Sequence, residues 1–176
     1  RDMDFLKKQF PIMCEAALFF HDFLVEKDGY LVTCPSVSPE NTYILPNGEM
    51  GANGYGVTMD NQILRDLFTQ CEKAYKVLKD AGELTEDILS ALKEAQIEDA
   101  KNFIEKTKEI CERLKPTQIG TRGTILEWQE EYEEWEQGHR HISHLYGLHP
   151  SGQITMDGTP DLAQAAGKTL EYRLAH

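Results

Sequence analysis

The chain has 176 residues, of which 30 are acidic and 18 basic, so its formal net charge is −12. A single globular domain is expected from this length and from the 40% hydrophobic content. The negative charge repels phosphate backbones, so we expect no nucleic-acid partner. No apolar run approaches the roughly 20 residues of a membrane-spanning helix, so we expect no membrane partner either. The sequence does not indicate a cellular location.

The first two predicted helices follow from apolar residues at three- and four-residue spacing. Residues 2–26 carry such a stripe and predict an amphipathic helix that is kinked or interrupted near Pro11. This pattern has already begun at Arg1, so we expect the chain to be a portion of a longer protein. A second helix is predicted to begin with Asp60 as its N-cap and to end before Gly82.

Two further helices are predicted toward the end of the chain. Thr85 opens the third, which has acidic residues in its first turn, runs to Leu114 and is followed by Pro116. The last begins at Thr159 with Pro160 in the first helical position. Three of the four cysteines fall within these helical patterns, where a free cysteine acts as a small hydrophobic residue, so no disulfide framework is expected.

Two long loops separate the helices, one over residues 29–58 and one over residues 116–158. Neither contains a convincing alternation of apolar and polar residues, so the chain is predicted to be all-α with ordered loops. The order of helix, long loop, helix pair, long loop and helix suggests a helical toroid whose loops gather at one rim. Function is expected in these loops, because binding residues are often carried on loops of a rigid scaffold.

The first loop contains the segment CPSVSPENTY, in which Glu40 is a candidate acid. A glutamate in a rigid, proline-flanked loop between Val37 and Tyr43 is expected to be partly desolvated. Desolvation raises a carboxyl pKa, and a neutral carboxyl can donate a proton. Asn41 beside it can orient a hydroxyl group. A second interpretation is a helix N-terminus with Ser38 as the cap.

The second loop contains four of the six histidines, His139, His141, His144 and His149. A metal site is one interpretation, but supporting ligands at zinc-type spacing and an HExxH motif are missing, so we expect no metal and no cofactor. We expect His139, Arg140 and His141 to bind a polar ligand, because three adjacent donors are costly to bury without partners. His144 is expected to be a hydrogen-bonded core residue.

Aromatic and acidic residues precede these histidines. Trp128 and Trp135 are either core aromatics or an apolar wall for the face of a sugar, and Trp128 is the better candidate for the wall. The glutamates between residues 130 and 136 are expected to form a solvated face.

The two loops together resemble the family 95 glycoside hydrolases, which are inverting α-L-fucosidases with some members that act on α-L-galactosides. The segments that carry the resemblance are LVTCPSVSPEN and EWQEEYEEWEQGHRHISHLYGLHP, and the similarity extends through PTQIG and the last helix to nearly the whole chain. The resemblance implies an (α/α)6 barrel, or six-hairpin toroid. Such a barrel has more helices than this chain predicts, so residues 1–176 are expected to be part of that catalytic domain.

The resemblance also assigns roles to individual residues. Glu40 corresponds to the family's general acid, and Arg140 and His141 lie in its sugar-binding motif, with Trp128 in its Glu-Trp segment. Asn41, next to Glu40, is expected to contact the substrate as well. The sequence departs from the family at Leu126, where a glutamine is expected.

The resemblance implies a substrate with a terminal α-L-fucosyl residue and a catalytic machinery that is incomplete in this chain. The family activates water through asparagines in an HxNxN motif, oriented by an aspartate, and no HxNxN occurs here. The chain alone is therefore expected to be inactive, and to pair with the rest of its barrel or to self-associate. A non-catalytic carbohydrate-binding or structural helical domain is the alternative, and a metal-dependent hydrolase is a third.

Overall fold

The protein is mainly helical. A computed structural model describes residues 2–176, in which five α-helices are joined by loops that contain short strands. The helices are α1 Met3–Phe23, α2 Thr58–Asp80, α3 Glu86–Glu94, α4 Ala100–Arg113 and α5 Pro160–Ala175. The strands are β1 Val25–Lys27, β2 Tyr30–Val32, β3 Ser36–Val37, β4 Tyr43–Ile44, β5 Met50–Gly51, β6 Asn53–Gly54 and β7 Glu133–Glu134.

The chain divides into two compact units. Unit 1 contains residues 2–24 and Leu64–Leu114, and unit 2 contains Val25–Ile63 and Lys115–His176. Helix α2 begins in unit 2 and continues into unit 1. All candidate site residues belong to unit 2.

Unit 1 is built from helices that bury one apolar face each. In α1 the buried residues are Phe10, Cys14 and Ala17, which lie on both sides of Pro11. The helix runs through Pro11 without a break, so the predicted interruption is wrong. Packing on both sides of the proline compensates for the one backbone hydrogen bond that it removes. No helix in residues 2–176 is both long and apolar enough to cross a bilayer.

Two predicted helix boundaries also differ from the structure. Helix α2 begins at Thr58, and Asp60 lies in its first turn instead of capping it. The Asp60 carboxylate accepts hydrogen bonds from the hydroxyls of Thr33 and Ser36, at 2.7 Å each. The third predicted helix is two helices, α3 and α4, because Asp99 caps α4 by accepting from the backbone N–H of Asn102 at 3.1 Å.

Unit 2 contains antiparallel strand pairs that the sequence did not predict. Strand β1 pairs with β2, and β3 pairs with β6. The third sheet has the order β5-β4-β7, with Tyr43 opposite both Gly51 and Glu134. Strand β4 comes from the first loop and β7 from the second, so the two loops are joined by backbone hydrogen bonds.

Apolar side chains fix the same arrangement of unit 2. One core cluster packs under α5 and comprises Ile125, Leu145, Ile154, Ala165 and Ala166. A second cluster comprises Tyr43, Val57 and Trp128 and lies beside the three-stranded sheet. The two long loops are therefore ordered parts of the core of unit 2.

Candidate active site

Glu40 lies in a tight turn that directs its carboxylate outward. The N–H of Asn41 donates to the carbonyl of Ser38 at 3.3 Å and closes the turn. Glu40 has φ = +53°, in the left-handed region that residues with a side chain seldom adopt. The alternative interpretation of Ser38 as a helix N-cap is wrong, because no helix follows it. The surrounding structure must hold this unfavourable backbone conformation in place.

The turn contacts the histidine-rich segment of the second loop. The guanidinium of Arg140 donates to the Glu40 carboxylate. His141 Nδ1 lies 3.2 Å from the carbonyl of Pro39 and 3.9 Å from Glu40 Oε2. His139 Nδ1 accepts the backbone N–H of His141 at 3.1 Å, so His139 Nε2 carries the proton and donates to the Glu40 carbonyl at 3.1 Å. The structure therefore brings Glu40, Arg140 and His141 together.

This group of side chains faces solvent. The side chain of Glu40 is 63% exposed and that of Arg140 is 69% exposed. The apolar surroundings expected from Val37 and Tyr43 are absent, because Val37 is itself exposed and Tyr43 packs in the core. An exposed ion pair stabilises a fold by only about 0–1 kcal/mol, so the pair is available to exchange partners with a ligand.

Beneath the turn lies a buried polar group, here called the Glu127 cluster, which consists of Glu127, Ser38, Asn41, Arg173 and His144. The carboxylate of Glu127, whose side chain is 4% exposed, accepts from the hydroxyl of Ser38. It also accepts from Asn41 Nδ2, at 3.1 and 3.0 Å to its two oxygens, and from Arg173 Nη2 at 2.6 Å. Asn41 is thus buried, with its amide directed at Glu127.

Arg173 of α5 connects the cluster to the chain just before the histidines. Its Nη1 donates to the carbonyls of Glu136 at 3.2 Å and Gln137 at 3.0 Å. The same nitrogen lies 2.6 Å from Glu134 Oε2. Burial raises the pKa of Glu134, and the nearby Arg173 opposes this rise. The side chain of Glu134 is only 15% exposed, which corrects the prediction that the whole acidic run is a solvated face.

His144 is buried, as the sequence predicted, and is uncharged at neutral pH. The pKa of His144 is lowered to about 4, mainly because the ring is buried. The negative charge of Glu127 acts in the opposite direction, and the positive charge of Arg173 adds to the lowering. Its Nδ1 lies 3.5 Å from Glu127 Oε2 and has no hydrogen-bond partner among the described residues. Its backbone carbonyl accepts from Gln62 Nε2 at 3.1 Å.

Trp128 occupies the core cluster next to the site. The residue is 5% exposed, and its ring meets that of Tyr43 edge-on with centroids 5.6 Å apart. Its indole nitrogen is buried without a partner within residues 2–176. Trp135, in contrast, is exposed. That Trp128 forms an apolar wall for a sugar therefore stays a prediction. Little of the surface of Trp128 is accessible for such a contact.

The rings of His139 and His141 are engaged in hydrogen bonds to the backbone. Both ring nitrogens of His139 and Nδ1 of His141 have such partners. No group of three or more His, Cys, Asp or Glu side chains in the described part of the chain is arranged to hold a metal ion.

Glu127 and Arg173 were missed by the sequence analysis. Glu127 stands at the start of an acidic stretch, where a buried carboxylate cannot be told from a solvated one. Arg173 did offer a signal, because it continues the buried face of α5 through Ala165, Ala166 and Thr169 at helical spacing. An arginine at such a position indicates a buried acidic partner, since a lone buried charge is very costly.

The chain is similar to known proteins over its whole length. The sequence profile of the glycosyl hydrolase family 95 catalytic domain matches residues 1–176. Alpha-L-fucosidase 2 from Arabidopsis thaliana is 35% identical over 174 residues. This similarity covers 98% of the present chain and 18% of the relative, so the chain spans less than a fifth of that protein's length.

Proposed function

We propose that this chain, which belongs to glycosyl hydrolase family 95, provides the proton-donating half of a site that removes terminal α-L-fucosyl residues from oligosaccharides with inversion. The observation that carries the proposal is the meeting of Glu40, Arg140 and His141 at an exposed turn. The relative from Arabidopsis thaliana is named as an α-L-fucosidase, which supports the choice of sugar. An α-L-galactoside is the alternative substrate.

Glu40 acts as the general acid in this proposal. Its carboxyl transfers a proton to the glycosidic oxygen as the bond to the sugar breaks, so that the leaving group departs as a neutral alcohol. Arg140 and His141 donate hydrogen bonds to sugar hydroxyls. Arg140 must then exchange its contact with the Glu40 carboxylate for the sugar, which also allows Glu40 to carry the proton that it donates.

The other half of the reaction lies outside this chain. Inversion requires a water molecule that attacks the opposite face of the sugar with the help of a base. In the family, asparagines of an HxNxN motif and an aspartate do this, and no HxNxN motif occurs in residues 1–176. We propose that the chain is a portion of an (α/α)6 barrel and that it is inactive alone.

The test is Glu40→Gln in the full-length protein, assayed on two substrates. Proton donation typically contributes 10²–10⁴-fold to the rate, so kcat/KM for a fucosyl oligosaccharide should fall by that order. The loss should be much smaller for an aryl α-L-fucoside, because an aryloxide leaves without protonation. The matched control is Glu49→Gln, which changes an exposed carboxylate in the same loop.

Near-normal hydrolysis of the oligosaccharide by Glu40→Gln would reject the acid assignment. If the unaltered protein binds fucose but hydrolyses neither substrate, the chain belongs to a non-catalytic carbohydrate-binding protein. Comparing aryl α-L-fucoside with aryl α-L-galactoside decides between the two sugars.

A further inference from the structure

We infer that Glu127 is a positioning residue, which holds the Glu40 turn through Ser38 and Asn41 and holds the segment before Arg140 through Arg173. This inference rests on the proposed function. Glu127 belongs to neither of the two exposed motifs that form the candidate site, and its side chain is buried beneath them. It acts on the reaction only through the residues that it binds.

The first arm of the arrangement fixes the turn. Ser38 and Asn41 are the residues on either side of Pro39 and Glu40, and both are buried with their side chains donating to Glu127. The two ends of the turn are therefore anchored to one carboxylate. Such anchoring supplies the constraint that the left-handed conformation of Glu40 requires.

The second arm fixes the segment that carries Arg140 and His141. Arg173 binds Glu127 through Nη2 and the carbonyls of residues 136 and 137 through Nη1. In addition, the hydroxyls of Ser38 and Ser143 lie 2.7 Å apart, so this segment is tied to the turn on its other side as well. One carboxylate thus sets the position of both the acid and its neighbouring donors.

The carboxylate form is required at this position. An ionised carboxylate only accepts hydrogen bonds, and here it receives donors from Ser38, Asn41 and Arg173. A glutamine at residue 127 has the same shape but presents one NH2 group. That group would face a donor of Asn41 or Arg173, so at least one buried donor would lose its partner. The turn would then be free to move.

The experiment compares Glu127→Gln with Glu40→Gln in the full-length protein on the same two substrates. Misplacing a catalytic group by about 1 Å can cost 10²-fold, so Glu127→Gln should lower kcat/KM for the oligosaccharide by between tenfold and about 10²-fold. The loss for the aryl α-L-fucoside should be several-fold smaller. A variant that only reduced the fraction of folded protein would lower both rates equally.

Thr169→Ala is the structural control. Thr169 lies on α5 one turn from Arg173, and its buried hydroxyl accepts from the N–H of Ile125 at 2.9 Å without touching the Glu127 cluster. It should lower the rates for both substrates by the same factor. If Glu127→Gln cannot be obtained folded, Ser38→Ala removes one anchor of the turn and should produce the same dependence on the leaving group.

The possible outcomes separate the inference from the proposal on which it rests. Where Glu40→Gln shows the expected dependence on the leaving group, an equal loss for both substrates in Glu127→Gln overturns the inference that Glu127 positions the acid. If only Ser38→Ala can be obtained folded, an equal loss in that variant overturns it. If Glu40→Gln itself shows no dependence on the leaving group, the acid assignment fails, and the inference fails with it. A parallel dependence in both variants supports the inference.

Discussion

Replacing Arg173 with methionine should break the second arm of the Glu127 cluster and leave the carboxylate that anchors the first arm without its counter-charge. Arg173 is buried, and its guanidinium pairs with Glu127 and Glu134 at 2.6 Å each and donates to two backbone carbonyls. Removing one partner of a buried ion pair typically costs about 3–5 kcal/mol, because the remaining charge is left uncompensated. The packing of the side chain is largely retained in Arg173→Met, so the loss reports the polar contacts.

Hydrogen exchange read by mass spectrometry measures this cost in the intact protein. If opening of the loops is the exchange route, 3 kcal/mol corresponds to exchange faster by about 10²-fold, since every 1.4 kcal/mol is a factor of ten. Peptides that cover residues 34–45 and 135–146 should show this change. A peptide from α4, in unit 1, should not. Arg122→Met, which removes an exposed arginine that contacts Tyr172, is the control. Acceleration below about threefold in both loop peptides would refute the reasoning.

Two further predictions concern histidines of the second loop. His141→Ala should reduce kcat/KM by roughly 3- to 10-fold, which is the value of one hydrogen bond to the sugar. Replacing the exposed His149 with alanine, or treating the protein with chelators, should leave activity intact. Stoichiometric zinc that is lost together with activity would contradict this prediction. Burial beside Glu127 and Arg173 lowers the pKa of His144 to about 4, so this imidazole binds a proton more readily in the unfolded chain than in the folded one. Its contribution to stability is therefore complete above about pH 6.5 and is lost as the pH falls toward 4. The melting temperature of His144→Gln should therefore fall less on acidification from pH 7 to pH 4.5 than that of the unaltered protein, and identical acid dependence of the two proteins would count against a neutral buried imidazole.

The helices could be predicted because each buries a periodic apolar face. The stripes of α1, α2 and α5 are long enough for the 3.6-residue period to be unambiguous. The strands could not be predicted, because two or three residues are too few to show alternation. The break between α3 and α4 was hidden by apolar residues that continue the stripe across Asp99.

The residues of the candidate site also divide into those that the sequence could predict and those that it could not. Glu40, Arg140 and His141 stand in short motifs with recognisable chemistry, and their proposed roles came from the resemblance to a family. Glu127 and Arg173 are 46 residues apart in sequence and meet only in the fold. Their identity depends on burial, which no local pattern of charges in an acidic run reveals.

The buried charged groups of the Glu127 cluster are better explained by their holding the Glu40 turn in place than by a gain in stability. A buried ion pair contributes little net stability, because desolvation of both groups offsets their attraction, and well-packed apolar residues often serve as well. Apolar residues, however, could not receive donors from Ser38 and Asn41 in fixed directions, and the turn would lose its anchors. The cluster takes its donors from the first loop and α5 and its acceptor from the second loop. The three segments are therefore held in one geometry, and Glu40 and Arg140 can meet at the surface although neither is itself buried.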